Sequence, residues 1–128
     1  MFDTSKTITE YHDGFFLALA WSPDSNYIAV FSTNDSQLSI YRFNPVAGSL
    51  IRTCHVDNKI TSISWHPSDN IIAVGRRTTY PDEAIVETYI FDQNTGEILP
   101  TRLYNKNFPN RFGAYVRFSP DGNYLAVA

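Results

Sequence analysis

Three histidines, His12, His55 and His66, are the side chains best suited to bind a transition metal. Metal-binding motifs place their His and Cys ligands at short, regular intervals, and the spacing of these three matches none of them. A cysteine-rich site is excluded because the chain has 1 Cys. We therefore expect no metal and no cofactor. We expect His12 and His55, which precede predicted strands, and His66, which lies in a predicted turn, to be structural.

Cys54 and three aspartates are the remaining candidates for catalysis. A nucleophilic cysteine needs a base beside it, but adjacent residues on a strand point to opposite faces, so Cys54 and His55 should not pair. Asp24, Asp69 and Asp121 recur in the predicted hairpin turns of a repeated pattern, whereas an active site is built once. We expect Cys54 in the core, the aspartates in turns, and no catalytic residue.

Composition and charge limit the classes of function. The chain has 128 residues, of which 43% are hydrophobic and 15% aromatic, enough for one β-rich globular domain. Its net charge of −3 offers no basic surface for nucleic acid. The N-terminus lacks the features of a signal peptide, and the apolar run at 15–21 is too short to cross a membrane. We therefore expect a cytoplasmic protein that binds neither nucleic acid nor membrane.

A ten-residue pattern occurs three times in the chain. The copies are WSPDSNYIAV at 21–30, WHPSDNIIAV at 65–74 and FSPDGNYLAV at 118–127. Each has an aromatic residue, a proline that presets a turn, further turn-forming residues, and then an alternating apolar segment. Each copy therefore predicts two strands joined by a tight turn.

Two further strands follow each of the first two copies. Alternating apolar segments lie at 38–43, 49–56, 85–92 and 97–104, and Gly48 and Gly96 lie in the turns between them. The copies start 44 and 53 residues apart, close to the period of about 40–45 residues for a four-stranded propeller blade. We expect the extra length of the second interval to form inserted loops at 76–84 and 105–113.

The hairpin segments resemble the Phe-Ser-Pro-Asp-Gly segment of WD-repeat propellers, and TYIFDQNTGEIL at 88–99 resembles the strand and turn that carry the Trp-Asp pair of that family. This resemblance implies an all-β fold with β-propeller blades of four antiparallel strands. The ring would be incomplete, with about 2.75 blades, since even the smallest rings need about four. The expected single propeller segment, 1–128, comprises a lone strand at 4–11, blades at 15–57 and 60–108, and the first two strands of a further blade at 114–128.

The resemblance also implies a set of residues that lock the blade strands together. WD-repeat blades often use a hydrogen-bonded set of Trp, Ser or Thr, Asp and His. In the first unit Tyr41 stands for the Trp, Asp35 for the Asp, Ser32 or Thr33 for the hydroxyl and His12 for the His. The implied blade-locking residues are His12, Ser32, Asp35, Tyr41, His55 and Asp92.

The two expected loops are candidates for partner binding, because the scaffold does not require them and loops often carry binding residues. Both combine cations with aromatic side chains, which protein interfaces favour. The candidate residues are Arg76, Arg77 and Tyr80 in the first loop, and Lys106, Phe108 and Arg111 in the second.

The function that these features favour is a non-catalytic scaffold that binds a protein or peptide partner. The chain would be the N-terminal part of a larger propeller, or would self-associate head to tail, with residues 4–11 of one copy completing residues 114–128 of the next. The hairpins also resemble lactonase-like and TolB-like propellers, so the alternative is part of a hydrolase or binding protein of that kind. A third possibility is a fragment with no activity of its own.

Overall fold

The fold is built from β-strands. The computed structural model describes residues 17–32, 37–57, 59–79, 82–111 and 113–128, so the strand expected at 4–11 lies outside the described residues. Its strands are β1 Leu17–Trp21, β2 Tyr27–Ser32, β3 Gln37–Asn44, β4 Ser49–Asp57, β5 Ile60–Trp65, β6 Ile71–Thr79, β7 Asp82–Asp92, β8 Glu97–Pro109, β9 Val116–Phe118 and β10 Leu125–Val127. No helix in these ranges has the length and apolar character that crossing a membrane requires.

The strands form three antiparallel sheets in chain order. Strands β1 to β4 make a four-stranded blade, β5 to β8 make a second, and β9 and β10 make a two-stranded unit. Within each sheet, each strand pairs with the next through a short connection, as alternating apolar segments separated by turn residues require. The expected all-β fold with four-stranded antiparallel blades is confirmed, and the described residues form an incomplete ring.

Serine and aspartate side chains close the first turn of a blade. In the first copy, Ser22 Oγ accepts a hydrogen bond from the backbone N–H of Tyr27 at 2.9 Å and donates one to Asp24 at 2.6 Å. In the third copy, Ser119 and Asp121 make the corresponding bonds. The turn roles predicted for Asp24 and Asp121 are therefore confirmed.

The turns between the third and fourth strands share one capping geometry. The backbone N–H groups of Gly48 and Gly96 donate to the carbonyls of Asn44 and Asp92, each at 2.8 Å. The two glycines have φ of 63° and 76°, the left-handed region in which a Cβ is strained. This repeated requirement explains the two glycines that mark these turns in the sequence.

The expectation of inserted loops at 76–84 and 105–113 was wrong for 76–79, 82–84 and 105–109, which belong to strands. Strands β6 and β7 remain paired as far as Thr79 and Asp82, and β8 remains paired with β7 as far as Pro109. The extra residues lengthen three neighbouring strands together, because each added backbone N–H and C=O finds a partner on the adjacent strand. The second blade is consequently longer than the first at one end.

The main hydrophobic core lies between the first and second blades. Phe91 is at its centre, with its ring in edge-to-face contact with Tyr27 at 4.9 Å and with Trp65 at 4.8 Å between centroids. Such aromatic pairs stabilise a core beyond the area that they bury. The buried residues of this core are Tyr27, Ala29, Phe31, Leu38, Ile40, Ile60, Trp65, Ile72, Val74 and Phe91.

A smaller core joins the second blade to the two-stranded unit. It contains Ala73, on the opposite face of β6 from Ile72, so β6 is buried on both faces. Hydroxyl groups of β5 also bond to the backbone of the third unit: Ser62 Oγ accepts from the N–H of Val116 at 2.9 Å. Side chains of one blade thus satisfy backbone groups of the next, which fixes their relative position.

Candidate functional site

The first strands of the three units lie side by side and form a concave surface, which we call the inner-strand surface. Strand β5 contacts β1 on one side and β9 on the other. A cavity of about 450 Å³ opens on this surface. Most of the residues around it are apolar, namely Leu19, Ala20, Trp21, Ile63, Trp65, Pro67, Val116, Phe118 and Pro120, although polar atoms provide the larger part of its exposed lining.

Two apolar side chains of the inner-strand surface are exposed. Leu19 is 67% exposed and Trp21 is 47% exposed. The ring of Trp21 is held in edge-to-face contact with Phe43, with 5.5 Å between centroids. The buried Trp65 of β5 holds β1 in place, because its Nε1 donates a hydrogen bond to the backbone carbonyl of Ala20 at 2.9 Å. The strands therefore present apolar groups on a backbone that neighbouring blades hold in place.

The lining of this cavity has little capacity for acid–base chemistry. Its one charged residue is Arg117, and its lining residues include no carboxylate, histidine or cysteine. Across the described ranges, no cluster of three or more His, Cys, Asp or Glu side chains could hold a metal ion. The arrangement suits packing against another molecule and pairing of Arg117 with an acidic group.

A charged cluster that we did not predict lies inside the second blade. Glu87 on β7 is 0% exposed. Its carboxylate accepts two bonds from Arg76, at 2.7 and 2.8 Å, one from the hydroxyl of Tyr89 at 2.7 Å, and one from Arg102 at 2.8 Å. Cations from the two neighbouring strands thus meet on one buried carboxylate.

The hydrogen bonds of this cluster influence the pKa values of Glu87 and Tyr89. Burial acts to raise the pKa of Glu87, but the bonds from Arg76 and Tyr89 outweigh it and hold that pKa below its ordinary value. Burial, together with the bond to the Glu87 carboxylate, raises the pKa of Tyr89 to about 12. A charged residue in the apolar segment 85–92 was the sequence signal that could have revealed this cluster.

The implied blade-locking residues fall on different strands. Ser32 is buried at the end of β2, and Tyr41 lies in β3 opposite Ile28. His55 is exposed on β4, opposite Ser39 in the register. His12 and Asp35 lie outside the described residues. Their role in locking the blades remains a prediction.

Asp92, the remaining member of that set, ends β7. Its Oδ1 accepts a bond from the backbone N–H of Asn94 at 2.9 Å. The side chain therefore caps the turn between β7 and β8, while the blade-locking role that the resemblance implies stays a prediction.

The candidate partner-binding residues lie in or next to strands. Arg76 and Arg77 belong to β6, and Lys106 and Phe108 belong to β8. Arg111 follows β8 and is exposed. Tyr80 lies outside the described residues. Arg76 reaches the buried Glu87, whereas β8 keeps Lys106 on the surface.

His66 is a structural link between the second blade and the third unit. Its Nδ1 accepts bonds from the N–H groups of Ser68 at 3.2 Å and Asp69 at 2.9 Å. Its Nε2 therefore carries the proton and donates to the carbonyl of Gly122 at 3.0 Å. Cys54 is partly buried and packs against the main core, as expected.

Comparison with protein families and solved structures gives consistent results. The model of the anaphase-promoting complex subunit 4 WD40 domain family matches residues 19–107. A chain in the crystal structure of a mitotic checkpoint complex is 24% identical, with a TM-score of 0.59 over 86% of this chain and 33% of that chain. A comparison with curated proteins found no match.

Two further propellers resemble the chain. Saccharomyces cerevisiae Sqt1 is 9% identical, with a TM-score of 0.56 over 73% of this chain and 24% of that chain. TolB from Acinetobacter baumannii is 19% identical, with a TM-score of 0.54 over 85% of this chain and 25% of that chain. At these identities the likeness shows the fold, and this chain spans a third or less of each matched structure.

Proposed function

Since this chain belongs to the family of anaphase-promoting complex subunit 4 WD40 domains, we propose that it is a non-catalytic protein-interaction module and part of a larger propeller. WD40 propellers generally act as scaffolds. The observation that carries the proposal is the inner-strand surface, a concave cavity lined by all three units with one charged residue, Arg117. Leu19 and Trp21 are exposed at its edge, on the face of β1 that points away from the second blade. Exposed apolar groups on a rigid surface favour protein contacts.

A protein or peptide segment suits this surface chemically. Burying an exposed Leu or Trp side chain contributes about 1.5–3 kcal/mol, and tryptophan is enriched among the residues that dominate binding energy. Arg117 would pair with an acidic side chain of the partner at the edge of the apolar contact. Recognition would involve no covalent step.

The names of the matched proteins suggest the setting of this interaction. The family is named after a subunit of the anaphase-promoting complex, and one similar chain comes from a mitotic checkpoint complex. We propose that the present chain likewise contributes to an assembly of several proteins. In that setting the ring would be completed by further blades. Alternatively, a second copy would complete the ring head to tail. A dimeric mass in solution would favour this second arrangement.

A hydrolase of the lactonase-like or TolB-like kind has no specific support. The similarity to TolB shows the fold. Catalysis in a propeller channel needs carboxylates and histidines converging there, and the lining of the described inner-strand cavity contains none.

The test is site-specific crosslinking followed by measurement of affinity. A photoreactive amino acid at Leu19 should capture a protein that the same group at Val46, which is 96% exposed in a turn, does not capture. The captured protein, once purified, should bind the chain at least about tenfold more weakly after Trp21→Ala or Arg117→Glu. Val46→Asp should leave that affinity unchanged. Equal capture at both positions, or no effect of Trp21→Ala, would remove the basis of the proposal.

A further inference from the structure

Strand β8, Glu97–Pro109, is the outermost strand of the second blade and has 13 residues. It pairs with β7 along one edge, and in the part of the chain that the structure describes no strand pairs with its other edge. All its side chains except Ile98 and Phe108 are exposed. An edge strand of this kind offers alternating backbone N–H and C=O groups to an extended segment.

The two halves of β8 differ. Near its start the strand lies against the first blade, since Thr53 Oγ1 donates to the carbonyl of Gly96 at 2.7 Å and Ile98 packs against the main core. Register shifts interrupt the middle of its pairing with β7. From Tyr104 to Pro109 the pairing with β7 is regular, without a register shift.

Cations mark this second half of the strand. Lys106 lies in this half and the exposed Arg111 follows it, while the one acidic residue of β8, Glu97, is at the opposite end. The carboxylate of Glu83 on β7 also reaches this half, where it accepts a bond from Asn107. Lys106 Nζ lies 5.2 Å from the centre of the Phe108 ring, so these two side chains share a face. Tyr104, 46% exposed, precedes Lys106 by two residues and lies on the same face.

We propose that the outer edge of β8 from Tyr104 to Pro109 binds an extended acidic segment of a partner protein by strand addition. Backbone hydrogen bonds would supply affinity and side chains of one face would supply selectivity. A Glu or Asp opposite Lys106, with an apolar residue two positions away opposite Tyr104, would meet both exposed side chains, while Phe108 is partly buried against the smaller core. This surface is separate from the inner-strand surface, so the two proposals succeed or fail independently.

The same charges disfavour a second copy of the chain as the occupant. Antiparallel pairing of the 104–109 edges of two copies would bring their Lys106 side chains close together, and like charges on facing strands are destabilising. A lysine on an edge strand is a known protection against self-association. The edge therefore selects a partner of opposite charge.

A synthetic peptide of alternating Thr and Val with a central Glu serves as the probe, with the whole chain as its target. The control peptide has the same sequence, N-methylated at every residue, which preserves charge but removes the N–H donors from both of its edges. We expect the first peptide to protect, within 104–108, the amides that point away from β7 from hydrogen exchange, and the control to give no protection. Lys106→Glu should weaken binding about tenfold. Arg52→Glu, at an exposed position on the edge strand β4, should leave binding unchanged.

Four results would overturn the proposal. They are absence of binding, equal binding of both peptides, a loss of affinity after Arg52→Glu as large as after Lys106→Glu, and protection of the amides of 104–108 that rises with the concentration of the chain alone. Because the two peptides are compared on the unaltered chain, the test does not depend on the folding of a variant.

Discussion

Arg76 Nε donates a hydrogen bond to Glu87 Oε2 over 2.7 Å, joining strand β6 to a carboxylate that has no solvent exposure. The sequence interpretation had placed Arg76 in a loop that faces a partner. Instead, Arg76 and the half-exposed Arg102 converge on Glu87 from the two strands that flank it. The ion pair is part of the interior of the blade, and its removal would leave buried charge without compensation.

Removing the Glu87 carboxylate should destabilise the chain. We expect Glu87→Ala to lower the free energy of unfolding by about 2–4 kcal/mol, less than a fully buried triad would lose because Arg102 can regain water. Glu83→Ala on the same strand removes a less buried carboxylate, bonded to Asn107 in the structure, and should cost less than about 1 kcal/mol. Urea unfolding followed by circular dichroism measures both. Equal losses would contradict a special role for Glu87.

The cluster should also make stability depend on acid pH. Burial acts to raise the pKa of Glu87, but its hydrogen bonds keep it below the ordinary value of 4.5 in the folded chain. The unfolded chain therefore takes up this proton first as the pH falls. The stabilisation is fully present above about pH 4.5 and is lost as the pH falls through the folded pKa.

Urea unfolding between pH 7 and pH 3, compared with Glu87→Gln, isolates this contribution. The difference in stability between the two proteins should be largest at neutral pH and should shrink below about pH 4.5. A difference that stays constant across this range would show that ionisation of Glu87 does not matter to folding.

Gly75 should tolerate no side chain. A Cβ at this position would overlap the carbonyl oxygen of Ala114 and crowd Ser62 Oγ, so Gly75→Ala must push the third unit away from the second blade. We expect Gly75→Ala to lower the free energy of unfolding by about 2 kcal/mol or more and to speed hydrogen exchange in β9 and β10. Gly48→Ala, where the added Cβ meets open space, carries only the strain of a φ of 63° and should cost about 1 kcal/mol. Similar losses and unchanged exchange would refute this steric explanation.

His66 should stabilise the chain through its bond to the third unit. Ser occupies the corresponding position in the other two turns, as Ser22 and Ser119. His66→Ser should keep the turn but lose the bond to Gly122, at a cost of about 1 kcal/mol. His66→Ala removes both interactions and should cost about 2 kcal/mol. Thermal unfolding of the two variants checks this order, and a more stable Ala variant would contradict it.

Ser25 should be replaceable by glycine with a gain in stability. Its φ is 64°, and Gly122 has a φ of 77° at the matching position of the third copy. Ser25→Gly should raise the free energy of unfolding by about 0.5–1 kcal/mol because it relieves left-handed strain. Ser68→Gly, at a position without positive φ, should lower it slightly. Calorimetry that found the same sign for both would refute the explanation from backbone strain.

Local patterns account for the part of the fold that was predicted correctly. The three repeats predicted strands joined by tight turns, and the hydrogen bonds of Ser22 and Asp24 show why those residues recur. Such turns depend on contacts within about six residues, which a sequence pattern displays directly. The loops predicted at 76–84 and 105–113 were wrong for the residues that belong to strands, because their strand pairing depends on residues distant in the chain.

The sequence by itself determined the strand order, the turns and the family, because period-two alternation and turn chemistry are local properties. Only the tertiary structure decided which charged side chains became internal. Arg76 and Arg102 are 26 positions apart in the sequence and meet on Glu87 because three strands lie side by side. It also brought Trp21, Trp65 and Phe118, one from each repeat, onto one concave wall. Packing between blades creates both features, and its partners are far apart along the chain.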